Sequence, residues 1–354
     1  MSQSPILGPA QGPLRVVIEQ PRRWFGRRLL WIALVISILA NISLYGMYQS
    51  YFQSDGEIHE KFHSLNKHAL DKVAIISVEG TILEGDGFVK KQIDRVRDDE
   101  HVKAVVLRVD SPGGTVTGSD YIYHHLKELV DKKKIPLVVS MGSMAASGGY
   151  YVSMAASAPS GTDEKLIFAE PTTWTGSIGV IIPHYDLTGL LEKWSIQDDS
   201  IASAPLKQMG SPTAKQPPEI REEERKILQT LVDSTFDGFK EIVLEGRPGL
   251  KNDPEKQKAV FTGQIFTARQ AKTNGLVDEL GFIEDAISRA VKLAKLDESE
   301  VRVVQYQKPV SPLTELLSQS RSSRLDLSAL LDMSAPRAYY LCTWLPGLEL
   351  KPRQ

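Results

Sequence analysis

The first candidate for chemistry is a serine in a stretch of small residues. Residues 136–150 read Pro-Leu-Val-Val-Ser-Met-Gly-Ser-Met-Ala-Ala-Ser-Gly-Gly-Tyr. The apolar start predicts a buried strand that ends at a turn of Gly142 and Ser143, followed by a helix with Ser147 in its first turns. The small neighbours leave room for a substrate backbone near the Ser147 hydroxyl. The same composition also fits a tightly packed helix start without chemistry, so the local sequence leaves both interpretations open.

A glycine loop upstream of this serine could complete a site. Residues 110–114 read Asp-Ser-Pro-Gly-Gly and follow a predicted strand at 104–109. Two consecutive glycines let the backbone turn with its amide hydrogens exposed. Because the carboxyl ends of neighbouring parallel strands face one crevice, these amides could form an oxyanion hole beside Ser147.

A nucleophilic serine needs a base, and the histidines form no recognisable Ser-His-Asp arrangement. His184 is the only histidine that follows Ser147, and it lies at the end of a predicted strand. The other histidines of the predicted globular region lie in or beside helices upstream of the serine. They are His101, His124 and His125.

A lysine can serve as the base when desolvation lowers its pKa from about 10.4 toward neutrality. Lys207 lies in the segment 201–212, which contains no acidic residue, whereas most other lysines lie in charged runs. Lys207 is therefore the candidate base. An ordinary surface lysine in a loop fits the local sequence better, and the choice needs further support.

One segment matches a metal-site pattern. His59-Glu60-Lys61-Phe62-His63 fits the H-E-x-x-H motif, in which two histidines one helical turn apart bind zinc. The motif lies in the polar segment 53–72, between an apolar helix and the first predicted strand. A solvated stalk is the favoured interpretation, and no metal or other cofactor is expected.

From residue 72 onward, apolar runs alternate with amphipathic stretches. This alternation predicts an α/β fold with a largely parallel sheet covered by helices. The main predicted strands are 73–78, 104–109, 136–141, 166–168, 178–182 and 301–306, and the main predicted helices are 118–132, 218–245 and 283–296.

An apolar segment near the N-terminus predicts a membrane anchor. Residues 29–48 carry no charge and are long enough to cross a bilayer. Arginines precede the segment and acidic residues follow it, which predicts a cytoplasmic N-terminus and an extracytoplasmic globular domain at the cell membrane. No Ala-x-Ala site follows, so an uncleaved single-pass anchor is favoured over a signal peptide. The predicted organisation is a cytoplasmic tail at 1–28, an anchor at 29–49, a stalk at 50–71, a globular domain at 72–306 and a C-terminal extension at 307–354.

Composition argues against a nucleic-acid partner. The chain has 42 basic and 44 acidic residues and a net charge of −2, without a clustered basic face. Its 354 residues, 42% of them hydrophobic, are enough for a large core. The single cysteine, Cys342, cannot form an internal disulfide.

Five motifs in a fixed order carry a family resemblance. They are Asp-Ser-Pro-Gly-Gly at 110–114, Met-Ala-Ala-Ser-Gly-Gly-Tyr-Tyr at 144–151, Thr-Gly-Ser-Ile-Gly-Val at 175–180, Ser-x-x-x-Lys with Ser-Pro at 203–212, and Phe-Thr-Ala-Arg-Gln-Ala with Gly-Leu-Val-Asp-Glu-Leu-Gly at 266–281. This set resembles signal peptide peptidase A, the protease IV family, in its short single-repeat form.

The resemblance implies a ClpP/crotonase-like fold of repeated ββα and βα units and a serine–lysine dyad. It implies that Ser147 is the nucleophile and Lys207 the general base. The amides of Gly114 and Gly148 would bind the oxyanion, and Ser177 would help to orient the lysine.

The sequence departs from the family pattern near the lysine. Ser203-Ala204 stands where the family often has Ser-Gly, and Gln208 stands where an acidic residue often follows the lysine. A polar segment at 159–165 also looks like a surface insertion. In double-length relatives the two dyad residues come from different repeats. A single-repeat chain is therefore expected to form a homo-oligomeric ring that shares each dyad between subunits, with inactive monomers.

These features predict a membrane-anchored serine endopeptidase that degrades released signal peptides and other short apolar peptides. Two alternatives use the same fold. A crotonase-like acyl-thioester enzyme would need neither Ser147 nor Lys207, and a non-catalytic membrane scaffold would need no site at all.

Overall fold

The computed structural model describes residues 24–52, 58–158, 165–307 and 339–341. The chain divides into two compact units, 1–56 and 57–354. The first unit contains helix α1 (Trp24–Phe52), which includes all residues of the predicted anchor at 29–49. Within α1, the 19 residues Arg28–Gly46 have a mean hydropathy of 2.1 and are long and apolar enough to cross a membrane; a signal sequence has the same length and composition.

The second unit contains the remaining helices and strands. The strands are β1 (His59–Leu65), β2 (Asp71–Glu79), β3 (Val102–Ser111), β4 (Gly113–Thr115), β5 (Leu137–Ala146), β6 (Ile167–Ala169), β7 (Trp174–Gly176), β8 (Ile265–Thr267), β9 (Glu279–Leu280), β10 (Val301–Gln307) and β11 (Tyr339–Leu341). The helices are α2 (Phe88–Asp98), α3 (Val116–Lys133), α4 (Gly148–Ser153), α5 (Thr188–Lys193), α6 (Pro218–Gly246), α7 (Pro248–Lys251), α8 (Pro254–Val260), α9 (Ala268–Thr273) and α10 (Ile283–Leu293), and a 3-10 turn spans Pro205–Gln208.

The main sheet is parallel through its centre. Its strand order is β1-β10-β2-β3-β5-β6-β9, and β7 pairs with the end of β5 while β8 pairs with β7. Of these pairs, only β1 with β10 and β7 with β8 are antiparallel. The predicted α/β class is confirmed, because the apolar runs at the centre form strands that are buried on both faces.

Alternate residues of the central strands face two separate apolar layers. Ile76 and Leu107 pack into the larger layer, which includes residues of α2, α3 and α6. Ile75 and Val106 pack into the smaller layer, which includes Ile287 of α10. Helices therefore cover both faces of the sheet, and the carboxyl ends of its strands are left free to carry a site.

The sheet begins before the predicted domain boundary at residue 72. Strand β1 lies inside the predicted stalk, where it pairs with β10 from His59↔Gln307 to Leu65↔Arg302. The polar composition of this edge strand conceals it from a search for apolar runs, since much of β1 is exposed.

Two further predictions of local structure are wrong. Strand β5 continues through Gly142 and Ser143 to Ala146, because its later residues pair with β7 after the earlier ones pair with β6. The predicted strand at 178–182 is not a strand; the paired residues are 174–176. The chain leaves the sheet at Ser177, where a positive φ of 52° redirects the backbone.

The long helix α6 is formed as predicted, but most of its apolar side chains are only partly buried. Among its described residues only Glu224, Phe239 and Val243 are buried. Leu231, in the middle of the helix, is 50% exposed. The middle of this face, around Leu231, is therefore available to contact another surface.

A second, two-stranded sheet lies apart from the main one. Strand β11, from the C-terminal region, pairs antiparallel with β4, matching Tyr339 to Thr115, Tyr340 to Gly114 and Leu341 to Gly113. The rest of the predicted C-terminal extension, Cys342 included, lies outside the described residues, as do residues 159–164 of the predicted insertion.

Candidate active site

Ser147 stands at the junction between strand β5 and helix α4. Its backbone has φ 54° and ψ −115°, a combination that is rare and strained for a residue with a Cβ. The turn is held on both sides. The Ser147 N–H donates to the Gly176 carbonyl at 2.7 Å, and its carbonyl accepts from the Tyr151 N–H at 2.8 Å. A strained serine between a strand and a helix is also the arrangement of the nucleophile elbow in other hydrolases.

The Ser147 side chain is buried and has no hydrogen-bond partner. The residue is 1% exposed, and its Oγ meets no donor or acceptor within the described part of the chain. Buried hydroxyls are usually satisfied, because an unpaired polar group costs free energy. An unsatisfied hydroxyl on a strained turn is the arrangement expected of a nucleophile whose general base is absent from the single chain.

The predicted oxyanion residues lie beside one another. A Cβ added to Gly148 would lie 3.2 Å from the Gly114 nitrogen and 2.4 Å from Ser119 Oγ. A Cβ added to Gly114 would lie 1.8 Å from the Ile82 carbonyl oxygen. Glycine at position 148 allows α4 to approach the backbone of β4, and glycine at position 114 allows β4 to approach the backbone of Ile82.

The Gly114 amide faces the edge of β4 that lies opposite Ile82, where β11 pairs. Ile82 occupies the other edge, donating its N–H to the Gly113 carbonyl at 2.9 Å and accepting from the Thr115 N–H at 2.7 Å. Backbone groups of successive strand residues point to opposite edges. The N–H and C=O of Gly114 therefore point away from Ile82, toward the edge at which an antiparallel strand can pair.

Ser177 follows a strand that pairs with the end of β5. Gly176 of β7 is matched to Ala146, so Ser147 and Ser177 each come directly after a paired residue. Ser177 is buried with a φ of 52°, and its N–H donates to the Gln264 carbonyl at 2.7 Å. The fold thus brings Ser147, Ser177, Gly114 and Gly148 to the same end of the sheet.

Within one chain, Lys207 does not form a hydrogen bond with the Ser147 hydroxyl. It lies exposed in the 3-10 turn, and Ser147 Oγ accepts no hydrogen bond from it. The turn itself is ordered by its neighbours. The Lys207 N–H donates to the Ala204 carbonyl at 3.0 Å, and the buried Glu224 of α6 accepts from the Gly210 N–H.

The histidines do not supply a base either. His184 is exposed, and His125 Nδ1 lies 3.2 Å from Glu128 on the same helix. Since Ser147 Oγ has no partner among residues 24–52, 58–158, 165–307 and 339–341, no described histidine forms a serine–histidine pair.

The H-E-x-x-H segment does not form a zinc helix. It lies in β1, where residues four apart are separated by about 13 Å, too far for His59 and His63 to bind one ion. Glu60 forms an ion pair with Lys72 at 2.7 Å. A different group, His124, His125 and Glu128, holds its ligand atoms within 4.8 Å of one another on α3.

Sequence reasoning missed the side chains that hold the last residues of β5, just before Ser147, in place. Asp110 accepts from Ser143 Oγ at 2.6 Å and from the Met144 N–H at 3.1 Å. Thr175 Oγ1 donates to the Ala145 carbonyl at 2.6 Å. Asp110 lies in the motif at 110–114 and Thr175 in the motif at 175–180. Their place in these motifs was the signal that could have identified them.

A buried ion pair supports the sheet near the site. Arg247, at the end of α6, contacts Asp278 at 2.6 Å, and Asp278 also accepts from the N–H groups of Leu166 and Ile167. Burial alone would raise the pKa of Asp278. The hydrogen bond and charge of Arg247, with the two backbone donors, instead hold that pKa below its ordinary value.

Comparison with known proteins identifies the family. The model of Peptidase family S49 matches residues 130–297. A relative from Enterococcus faecium, described as a putative signal peptide peptidase SppA, is 33% identical over 81% of this chain and 84% of its own length. This chain belongs to peptidase family S49. The S49 match includes Ser147, Ser177 and Lys207, and the resemblance predicted from the motifs is confirmed.

Other relatives of this S49 chain differ in length. A putative protease from Synechocystis is 38% identical over 70% of this chain and 83% of its own length. Protease 4 from Salmonella typhi is 35% identical over 64% of this chain but only 35% of its own length. The chain is therefore a homologue of serine proteases.

Proposed function

We propose that this S49 chain is a serine endopeptidase whose nucleophile is Ser147 and whose general base is Lys207. One observation carries the proposal. A buried, strained serine with an unsatisfied hydroxyl directly precedes Gly148, whose backbone packs closely against that of Gly114. A crotonase-like thioester enzyme or a scaffold would have no need for the unsatisfied serine.

The reaction follows from these positions. Ser147 Oγ attacks the carbonyl carbon of a bound peptide while Lys207 accepts its proton. The negative oxygen that forms accepts hydrogen bonds from the Gly114 and Gly148 N–H groups, which need not reorganise during the step. The protonated lysine then donates to the leaving amine, and water hydrolyses the acyl-enzyme by the same route. The Ser177 hydroxyl orients the lysine amine.

The lysine must come from a second copy of the chain. Lys207 is solvent-exposed within its own chain, and it forms no hydrogen bond with Ser147 Oγ of that chain. The region that carries it exposes large apolar side chains, including Tyr185 (71%), Trp194 (71%) and Ile201 (100%). Burying this region against a neighbouring subunit would remove apolar surface from water and desolvate Lys207 beside the neighbour's Ser147.

The proposed substrates are released signal peptides and other short apolar peptides. A peptide can bind as an antiparallel strand at the edge of β4 opposite Ile82, in place of β11, with its carbonyl on the Gly114 amide. The apolar helix at Arg28–Gly46 would anchor the enzyme in the cell membrane with a cytoplasmic N-terminus.

A subunit-mixing experiment tests the dyad. We expect the full chain, purified in detergent, to cleave a fluorogenic apolar peptide, and Ser147→Ala and Lys207→Ala each to lose that activity by 10³-fold or more, on the order expected for a catalytic group. Mixing and reassembling the two inactive variants should restore part of the activity, because some contacts then join an intact serine to an intact lysine. Lys215→Ala, at an exposed lysine nearby, is the matched control and should retain activity.

Each contrary result has a distinct meaning. Full cleavage by Ser147→Ala would end the serine mechanism. Full loss in both variants without recovery on mixing would contradict a shared dyad. Loss of activity in the parent on adding a chelator would direct attention to a metal-dependent mechanism.

A further inference from the structure

Two adjacent histidines and a glutamate one turn later form a compact group on helix α3. The helix runs from Val116 to Lys133, so the three positions have a fixed spacing. Residues three and four apart are neighbours on the surface of an α-helix, and Glu128 is therefore a neighbour of both His124 and His125. Their ligand atoms, which are imidazole nitrogens and a carboxylate oxygen, all lie within 4.8 Å of one another.

Two of the three ligand atoms already have the spacing that a metal ion requires. His125 Nδ1 lies 3.2 Å from Glu128 Oε2. A tetrahedral zinc ion with bonds of about 2.1 Å holds neighbouring ligand atoms about 3.4 Å apart. This pair therefore matches one edge of such a tetrahedron, and an ion would take the place of the proton in their hydrogen bond.

The third ligand, His124, has the freedom to complete the set. Its side chain is exposed, and its ring centroid lies 5.2 Å from that of His125. The widest separation in the group is at most 4.8 Å, so a movement of about 1.4 Å brings it to the tetrahedral spacing. Rotation about the side-chain bonds of an exposed histidine supplies such a movement, because the outer torsion of histidine is broad.

Neighbouring side chains hold the other two ligands in place. Tyr121 packs edge-to-face against the His125 ring, with 4.4 Å between the ring centroids. Lys132 donates to Glu128 Oε1 at 2.5 Å, which leaves Oε2 for the ion. Contacts of this kind, one step outside the ligands, orient metal-binding side chains. The group is therefore partly arranged for an ion before one binds.

We propose that His124, His125 and Glu128 form a metal site on α3 for a divalent transition-metal ion such as Zn²⁺. Two imidazoles and a carboxylate are a ligand set that zinc accepts, with the fourth position left to water, whereas Mg²⁺ and Ca²⁺ prefer oxygen ligands. The ion would join successive turns of the helix that directly follows strand β4. It takes no part in the reaction proposed at Ser147, so the two proposals can fail separately.

Zinc binding to the full chain tests the site. The probe is Zn²⁺ alone, added to the detergent-purified chain without a polyhistidine tag, and bound zinc is measured by equilibrium dialysis. We expect one ion per chain in the parent. His124→Ala, His125→Ala and Glu128→Gln should each weaken binding at least tenfold, since even the loss of a contact outside the ligands costs about tenfold or more. His101→Ala, at an exposed histidine before β3, is the matched control and should bind zinc as the parent does.

A spectroscopic measurement identifies the ligands without reference to activity. With Cu²⁺ as the probe, electron paramagnetic resonance should show two nitrogen ligands in the parent and one in either histidine variant, because imidazole is a preferred ligand of copper. Urea unfolding of the metal-free chains should match the parent, so weaker binding reports a lost ligand.

Three further outcomes decide the proposal. Parental zinc affinity in all three variants would overturn the site. Equal weakening in His101→Ala would also overturn it, because the ions would then be held by scattered surface histidines. One zinc bound as expected, in a chain that cleaves no peptide, would retain the metal site and reject the proposed peptidase activity.

Discussion

Ser147 has a backbone conformation that costs free energy, and the surrounding contacts maintain it. The strain comes from its Cβ at φ 54° and ψ −115°, while hydrogen bonds to Gly176 and Tyr151 hold the turn. A conformation of this kind costs on the order of 1–3 kcal/mol. We infer that this conformation serves to direct the hydroxyl toward a peptide bound beside the Gly114 and Gly148 amides.

Replacing Ser147 by glycine should separate strain from chemistry. Ser147→Gly and Ser147→Ala both remove the nucleophile and should be inactive. Glycine adopts the positive φ without strain, so we expect Ser147→Gly to be about 1 kcal/mol more stable than Ser147→Ala in urea unfolding.

Ser140, a buried residue in the regular part of β5, is the control for this comparison. There the order should reverse, because glycine in a strand interior is less stable than alanine. The same order at both positions would contradict strain at Ser147.

At the scale of elements, one ion pair joins the end of α6 to the start of β6. Arg247 and Asp278 are only 13% and 18% exposed at their side chains, and Asp278 also binds the amides of Leu166 and Ile167. The depressed pKa of Asp278 means that its charged form is favoured by folding. This contribution is complete above the unfolded pKa of about 3.9 and is lost as the pH falls through the lower folded value.

Asp278→Asn should therefore destabilise the domain in a pH-dependent way. We expect a loss of about 3 kcal/mol in the free energy of unfolding at pH 7, because Arg247 is left buried without its charge partner. The difference between parent and variant should begin to shrink below about pH 4, where unfolding is accompanied by protonation of Asp278, and should level off only below the lower pKa of the folded state. Urea unfolding at pH 7, 5, 4 and 3 measures it, with Asp199→Asn at an exposed position as the control. A difference that is constant across this range would contradict the assignment.

At the scale of the whole molecule, the proposed assembly of subunits accounts for both the exposed apolar side chains and the exposed Lys207. The region from Tyr185 to Ile201 and the face of α6 near Leu231 lack partners within the described chain large enough to bury them. A ring of subunits would cover these surfaces and complete each site with a neighbour's lysine. Assembly and catalysis should then fail together.

Trp194→Glu should show this coupling. Trp194 is 71% exposed in the single chain, so the substitution should leave the subunit folded while placing a charge in the proposed contact. We expect a smaller species by light scattering in detergent and a loss of cleavage of at least tenfold, as for a central interface residue. Leu70→Glu, at a residue that is 72% exposed outside this region, should change neither. A smaller species that cleaves at the parental rate would show that one subunit suffices.

The sequence by itself determined the features that depend on local pattern. The apolar runs that form β2, β3 and β5 and the spacing that forms α6 are set by which side of each element is buried, so they can be read along the chain. The motif order was also enough for the family and for the candidate residues Ser147, Lys207 and Gly114. The polar edge strand β1 and the strand at 174–176 were missed, because pairing with distant residues decided them rather than their own composition.

Only the tertiary structure decided how the site is assembled. The strain at Ser147, the contact between the Gly114 and Gly148 backbones and the pairing of β11 with β4 all depend on segments far apart in sequence. The separation of Lys207 from Ser147 within one chain also depends on how distant segments pack. Local periodicity reports burial at each residue, whereas the close approach of two backbones depends on how the whole sheet and its helices pack.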